Sequence, residues 1–119
     1  MNNKDLRRVI HMKEYCDKIN NAILRFGGFD VFDSDVDYYQ SITMSLFQIG
    51  ELSNGLSNEF KDNSKNKIPW NSIRRVRNMF AHEYQRINKE TIWKSLQDDI
   101  PILLQFCNQI IADENAKGE

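Results

Sequence analysis

The sequence contains little of what several protein classes require. Five glycines and two prolines in 119 residues are too few for a low-complexity linker or for a β-sandwich with many turns. The two cysteines, Cys16 and Cys107, cannot build the disulfide framework of a small secreted domain, and neither belongs to a CxxC pair. The N-terminus lacks the apolar stretch of a secretory signal, and no apolar run approaches the roughly 18 residues of a membrane helix. The expected class is a soluble, cytoplasmic protein.

Most motifs that carry catalysis or bind cofactors are also absent from the sequence. No glycine-rich phosphate loop of the GxGxxG or GxxxxGK[ST] type is present. The only histidines are His11 and His82, and neither lies in an HExxH motif or in a Cys/His cluster with zinc spacing. Asp33, Asp35 and Asp37 resemble the start of a calcium loop, but the required glycine and closing glutamate are missing. The sequence therefore predicts no metal site and no cofactor.

Apolar residues recur every three or four positions along much of the first half, which is the spacing of amphipathic helices. A long helix is predicted over about 4–26, and Gly27 is expected to end it because glycine adopts left-handed conformations at little cost. A second long helix is predicted to begin at Ser34 or Asp35, either of which can cap it, and to end at about Phe60.

The second half contains shorter helical patterns separated by polar segments. Residues 61–67 are polar and predict a loop. Pro69 suits the first turn of a third helix, where its missing N–H is not needed. Two shorter helices are predicted over about 89–98 and 100–114, and the residues expected to cap them are Asn88 and then Asp98 or Asp99.

These patterns predict an all-α protein, because no alternating strand pattern stands out. The expected architecture is an up-and-down bundle of about five helices, in which two long N-terminal helices precede shorter C-terminal ones. The chain is expected to form a single domain over 1–119, with a short flexible tail from about residue 113.

Charge is unevenly distributed along the chain, although the formal net charge is only -1. Residues 61–94 contain nine Lys or Arg and three Asp or Glu, whereas the segments on either side are acidic. Local charge rather than net charge determines whether a polyanion binds. The basic segment is therefore either a polyanion-binding region or a solvated helix face.

Residues 74–84 concentrate the side chains that could act on RNA. Arg77 is a permanent cation that can bind a phosphate and stabilise the charge that develops on it. Histidine as a residue type exchanges protons near neutral pH, so His82 can accept the proton of a ribose 2′-hydroxyl or donate one to a leaving oxygen. This set fits RNA cleavage by the neighbouring 2′-hydroxyl, which DNA lacks. Arg74 and Arg75 either bind the RNA backbone or simply solvate the helix.

On a single regular helix, Arg77 and His82 would not point toward the same phosphate. Residues five positions apart, such as Arg77 and His82, diverge by roughly 140° on a regular helix. Either the helix ends or bends near Ala81, or two copies of the segment meet across a symmetric dimer. A two-fold axis would bring two arginines and two histidines to one cleft.

The string Arg77-x4-His82-x-Tyr84 resembles the RX4HXY motif of HEPN-superfamily ribonucleases, specifically the HepT-like (DUF86) toxins. Further positions show the same pattern, and the resemblance extends over about residues 4–112. It is most specific over 68–101. The supporting segments are Ile49-Gly50-Glu51, Ile68-Pro69-Trp70, Arg77-Asn78, Trp93 and Asp99-Ile100-Pro101.

This resemblance implies a homodimeric, metal-independent endoribonuclease from a type VII toxin–antitoxin system, with RNA, and transfer RNA in particular, as the substrate. It implies that Arg77 and His82 are the catalytic pair at a dimer cleft and that Asn78 supports them. It also implies that Tyr84 is the residue modified with AMP by an MntA-type nucleotidyltransferase antitoxin. A bulky anionic adduct near Arg77 would occupy and neutralise a phosphate site.

Simpler interpretations of the same residues remain open. Arg77 could be a surface ion-pairing residue, His82 could interact with the helix dipole, and Tyr84 could be a packing residue. The chain would then be a non-catalytic HEPN module that binds and regulates a nucleotidyltransferase. The presence of all three residues favours the ribonuclease, because a scaffold does not need them.

Overall fold

A computed structural model describes residues 1–82 and 87–118. The described residues contain helices and no strand, which confirms the prediction of an all-α fold. Six helices follow one another: α1 (Asn3–Phe26), α2 (Phe29–Ser34), α3 (Val36–Gly55), α4 (Asn58–Ser64), α5 (Trp70–His82) and α6 (Lys89–Lys117).

The three longest helices form the centre of the molecule, since α1 packs against both α3 and α6. The side chains between them are fully buried, as Met12 of α1, Ile49 of α3 and Leu103 of α6 illustrate. Helix α5 packs against α3 on the outside of this group. One face of α5 is therefore buried while its other face remains open to solvent.

The first long helix and the start of the next follow the sequence prediction. Gly27 has φ 113° and its N–H bonds to the carbonyl of Ile23, so it ends α1 as expected. Asp35 is the cap of α3 and accepts a hydrogen bond from the backbone N–H of Tyr38 at 3.0 Å. The short helix α2, which the periodicity did not predict, places the buried ring of Phe32 against Tyr38 of α3 and Trp93 of α6.

The second long helix is shorter than predicted. Helix α3 ends at Gly55 rather than at about Phe60, because Leu56 is extended and Ser57 caps the new helix α4. The buried carboxylate of Asp5 in α1 accepts hydrogen bonds from the backbone N–H of Ser57 at 2.9 Å and from its hydroxyl at 2.6 Å. The predicted loop over 61–67 is consequently wrong for residues 61–64, which are helical.

The prediction of two shorter C-terminal helices is wrong. Helix α6 runs without a break over 29 residues and is the longest in the described chain, with Pro101 inside it. Asn88 caps α6 as predicted, by accepting hydrogen bonds from the N–H groups of residues 90 and 91. Asp98 and Asp99 lie within the helix and therefore cap nothing. Burial, together with the neighbouring Asp98 carboxylate, raises the pKa of Asp99.

Helix α6 also includes residues 113–117, where the sequence predicted a tail. The two cysteines are free and buried, and burial raises the pKa of Cys107 to about 12. No helix in the described ranges has the length and apolar character needed to cross a membrane.

Candidate active site on helix α5

Helix α5 carries most of the predicted site residues, and its position is set by its first turn. The carbonyl of Pro69 accepts a hydrogen bond from the N–H of Ile73, so the helix starts directly after the proline. The indole N–H of Trp70 donates to the hydroxyl of Ser64 at 2.9 Å, which ties α5 to the end of α4. Trp70, Ile73 and Val76 form the buried face.

A glycine allows α5 to approach α3 closely at Arg77. A Cβ atom built on Gly50 would lie 2.7 Å from Cγ of Arg77 and closer still to its Cβ. Real Cβ atoms essentially never come this close to another heavy atom. Gly50 therefore sets the distance between the two helices at the point where Arg77 leaves α5.

The side chain of Arg77 is held by groups from α3 and from its own helix. Its Nε donates to the Glu51 carboxylate, and its Nη1 donates to Oδ1 of Asn78 at 3.1 Å. The guanidinium carbon lies 5.6 Å from the ring centroid of Phe47, within the range of a cation–π contact. With 24% of its side chain exposed, Arg77 is oriented and yet remains accessible to an anion.

His82 is exposed at the C-terminal end of the described part of α5. Helix α5 is described as far as His82, one residue after Ala81, where the sequence analysis allowed for an end. Arg77 and His82 therefore lie on one helix, where five residues separate their directions by roughly 140°. One copy of this helix does not direct both side chains to a single phosphate.

The remaining predicted residues are distributed around the exposed face of α5. Arg74 is exposed and donates to Oδ1 of Asn71 at 2.9 Å, and Arg75 is exposed as well. Asn78 is exposed, and its Oδ1 accepts the hydrogen bond from Arg77 described above. Tyr84, the predicted modification site, lies outside the described residues.

Sequence reasoning missed how α3 contributes to the arginine. Phe47 was not considered, and Gly50 and Glu51 entered only as part of the resemblance. A glycine within a helical pattern costs about 1 kcal/mol relative to alanine and can indicate a packing constraint, and here an acidic residue follows it directly. That signal could have placed α3 beside the basic helix, although it would not have identified Arg77 as the contacting residue.

The described residues contain no group of three or more His, Cys, Asp or Glu side chains that could hold a metal ion. The Asp33–Asp37 segment is used otherwise, since Asp35 caps α3 and the Asp33 carboxylate lies 3.7 Å from the Lys89 ammonium.

Comparison with known proteins gives a consistent result. The profile of the family described as "Ribonuclease HepT-like" matches residues 12–110. The chain belongs to the HepT-like ribonuclease family. This confirms the resemblance to HepT-like ribonucleases.

Several relatives of this HepT-like chain are similar along most of their length. A candidate RNase of Methanocaldococcus jannaschii is 29% identical over 100% of this chain and 98% of its own. A candidate RNase of Caldanaerobacter subterraneus subsp. tengcongensis is 31% identical over 87% of this chain and 91% of its own. A candidate ribonuclease HepT of Thermococcus cleftensis is 31% identical over 76% of this chain and 87% of its own. No solved structure matches significantly.

Proposed function

We propose that this HepT-like protein is the toxin of a type VII toxin–antitoxin system and acts as a metal-independent endoribonuclease. The observation that carries the proposal is the arrangement of Arg77, which Glu51 and Phe47 hold in place while part of it faces solvent. An exposed histidine, His82, follows on the same helix. Together with membership of the HepT-like ribonuclease family, this arrangement supports cleavage of RNA, with transfer RNA as the class that the resemblance implies.

The proposed reaction is an attack by the ribose 2′-oxygen on the neighbouring phosphorus. One imidazole, that of His82, accepts the 2′-hydroxyl proton, and a protonated imidazole donates a proton to the departing 5′-oxygen. The P–O2′ bond forms while the P–O5′ bond breaks, which gives a 2′,3′-cyclic phosphate and a 5′-hydroxyl end. Arg77 stabilises the negative charge that builds up on the phosphoryl oxygens.

A homodimer would supply both imidazoles and overcome the divergence of Arg77 and His82 on one helix. An apolar groove of about 380 Å³ lies beside Arg77 and supports this assembly. Its lining consists of Gln40, Thr43, Met44, Phe47 and Phe80. Met44 is 59% exposed, and Phe47 also contacts the guanidinium of Arg77. A second copy packing on this surface would place two copies of the site next to each other.

The Met44→Glu variant tests the dimer. Because Met44 is largely exposed in the single chain, a glutamate there leaves the fold intact but places a charge in the proposed interface. Sedimentation velocity should show a monomer with unchanged circular dichroism, and RNA cleavage should fall at least tenfold. Leu24→Glu is the matched control, since Leu24 is an exposed apolar residue on α1, and it should change neither property. A folded Met44→Glu monomer with full activity would disprove the shared cleft.

Glu51 is proposed as a positioning residue for Arg77. Loss of the carboxylate in Glu51→Ala leaves the guanidinium free to rotate, and a displacement of about 1 Å can lower a rate by about a hundredfold. We expect RNA cleavage to fall by about ten- to a hundredfold, whereas the melting temperature changes little because the ion pair is partly exposed. Glu51→Gln retains an oxygen acceptor and should lose less activity. Equal losses for the two variants would contradict a role in orienting Arg77.

Neutralisation is proposed to occur by AMPylation of Tyr84 by an MntA-like nucleotidyltransferase. The tyrosine lies two residues after His82 in the sequence, so an adenylyl group there would add bulk and negative charge close to the proposed phosphate site. Mass spectrometry of the chain co-expressed with such a transferase should show one added AMP, which is absent from Tyr84→Phe. Unmodified Tyr84 in a neutralised complex would refute this mechanism.

Expression of the chain alone distinguishes the ribonuclease from a non-catalytic module that binds and regulates the transferase. Growth arrest accompanied by RNA cleavage, both abolished in Arg77→Ala and His82→Ala, would support the enzyme. Toxicity that is equal in the wild type and both variants, or absent together with RNA cleavage, would favour the regulatory module.

A further inference from the structure

A groove of about 350 Å³ lies where the end of α3, helix α4 and the first turn of α5 meet. Asn54 contributes from α3, Lys61 and Lys65 from α4 and the turn after it, and Asn71 and Arg74 from α5. This volume is at the lower end of the range for small-ligand sites, roughly 300–1,000 Å³. The groove can therefore accept a segment of an extended chain but not a folded domain.

The lining of the groove has an excess of positive charge. Lys61, Lys65 and Arg74 face a single carboxylate, that of Asp62. Within the described part of the chain, none of the three cations forms an ion pair. Arg74 instead bonds to the neutral amide of Asn71. Because these three cations share the groove with one carboxylate, the groove presents an excess of positive charge to an anion from solvent.

The groove lies next to the candidate active site along both α3 and α5. Gly50 marks the contact between α3 and Arg77, and Asn54 lies about one helical turn further along α3. On α5, Arg74 lies about one turn before Arg77. The groove therefore begins about 5 Å along the helices from the arginine. Asn71 lies in the first turn of α5, so its side-chain amide stands between the lysines of the groove and Arg74.

The floor of the groove offers no free aromatic face for a base. Trp70 is only 9% exposed, and its indole N–H already donates to Ser64. Its ring also packs against Phe60 and Phe106, with centroid distances of 6.3 and 6.2 Å. The available partners are cations and amides at the rim, and these recognise phosphates rather than base edges.

We propose that this groove binds the phosphodiester backbone of the RNA strand next to the scissile phosphate, without regard to base sequence. Lys61 and Lys65 provide additional contacts to phosphate groups, and Arg74 lies between these lysines and Arg77. The proposal rests on the proposed function in taking RNA as the ligand. It adds a binding subsite that extends from the catalytic residues toward α4.

Binding is measured with a fluorescently labelled 20-nucleotide single-stranded RNA, by anisotropy, in the full chain carrying His82→Ala to prevent cleavage. Lys61→Gln/Lys65→Gln removes two charges from positions that are not fully buried, so the fold should be retained. We expect the dissociation constant to rise about five- to twentyfold. The slope of log K against log salt should decrease in magnitude by about 1.4, since each phosphate contact on a single strand contributes about 0.7.

Lys18→Gln/Lys94→Gln is the matched control, because both residues are exposed lysines on α1 and α6 outside the groove. An equal loss in this control would show that only net charge matters and would overturn the proposal, as would unchanged affinity and salt slope in the groove variant. A well-folded His82→Ala chain that binds no RNA would overturn it too.

The proposed catalysis is judged separately, by cleavage in a chain with His82 intact. There the groove variant should raise KM for the RNA and leave kcat unchanged. If the wild-type chain binds RNA through the groove but does not cleave it, the proposed function fails while the groove proposal stands.

Discussion

Replacement of His82 by alanine should lower the rate of RNA cleavage by about two to four orders of magnitude, the usual contribution of a general acid or base. Arg77→Ala should lower the rate of RNA cleavage by about a hundred- to a thousandfold, because it removes a fixed hydrogen-bond donor that faces the negative charge developing on the phosphate. Arg77→Lys should restore little of the lost cleavage rate. A lysine lacks the planar guanidinium that can donate to Glu51 and to a phosphate at the same time. Initial rates on a labelled RNA under single-turnover conditions measure all three.

The chain provides matched controls for both substitutions. His11 and Arg7 are exposed residues of α1, so His11→Ala and Arg7→Ala test for effects of simply losing an imidazole or a guanidinium. Each should cleave RNA at the wild-type rate. In the double variant Arg77→Ala/His82→Ala, the loss should be far smaller than the product of the single losses, because residues that act on one transition state are not additive. Full activity in either single variant of Arg77 or His82 would refute the assigned chemistry.

Gly50→Ala should impair both stability and activity. The added methyl group would lie against Cβ and Cγ of Arg77, so α3 and α5 must separate or the arginine must leave its rotamer. Overpacking costs about 1–3 kcal/mol, and a contact this close belongs in the upper part of that range, about 2–3 kcal/mol. The better helix propensity of alanine offsets about 1 kcal/mol of it. We expect a net loss of about 1–2 kcal/mol, a fall of about 4–10 °C in melting temperature and a reduced cleavage rate.

Gly55→Ala is the matched control for this substitution, at the end of the same helix. A Cβ there would meet Nε of Arg8 at 2.5 Å, but that atom is near the end of a flexible side chain and can move away. The control should be as stable as the wild type or slightly more stable, with unchanged cleavage. A Gly50→Ala variant that matches Gly55→Ala in both measurements would show that the α3–α5 approach does not constrain Arg77.

Local sequence signals correctly predicted the helix ends that depend on a single capping or terminating residue. Gly27 ends α1 through its positive φ, and Asp35 and Asn88 cap the helices that follow them. The break after Gly55 was missed because Leu56 continues the apolar period and is buried. Its actual cause is distant in sequence, since the carboxylate that fixes Ser57 belongs to Asp5 in α1.

The continuity of α6 was missed for the opposite reason, because local signals suggested an end where the helix continues. Asp98, Asp99 and Pro101 are typical of a helix start. The proline is exposed, so the carbonyl that it leaves without a donor can bond to water, while Ile100 and Leu103 remain buried on the core side. Burial of one continuous apolar stripe therefore outweighs the local preference for a break.

The composition of the candidate site was readable from the sequence, but its geometry was not. The spacing of Arg77 and His82 led to the proposed chemistry and to the expectation that one helix separates the two side chains. That α3 supplies a carboxylate and an aromatic ring to the arginine depends on how two helices dock, which no spacing along α5 encodes.

The contacts of Arg77 also affect the entropy of binding. A free arginine side chain loses up to about 2 kcal/mol of rotamer freedom when it becomes fixed. Here Glu51, Asn78 and Phe47 already restrict it in the unliganded chain, so most of that loss occurs during folding. An anion that reaches Arg77 finds a guanidinium with few conformations left to lose. Folding of the bundle therefore already includes most of the entropy loss that would otherwise weaken the binding of an anion to Arg77.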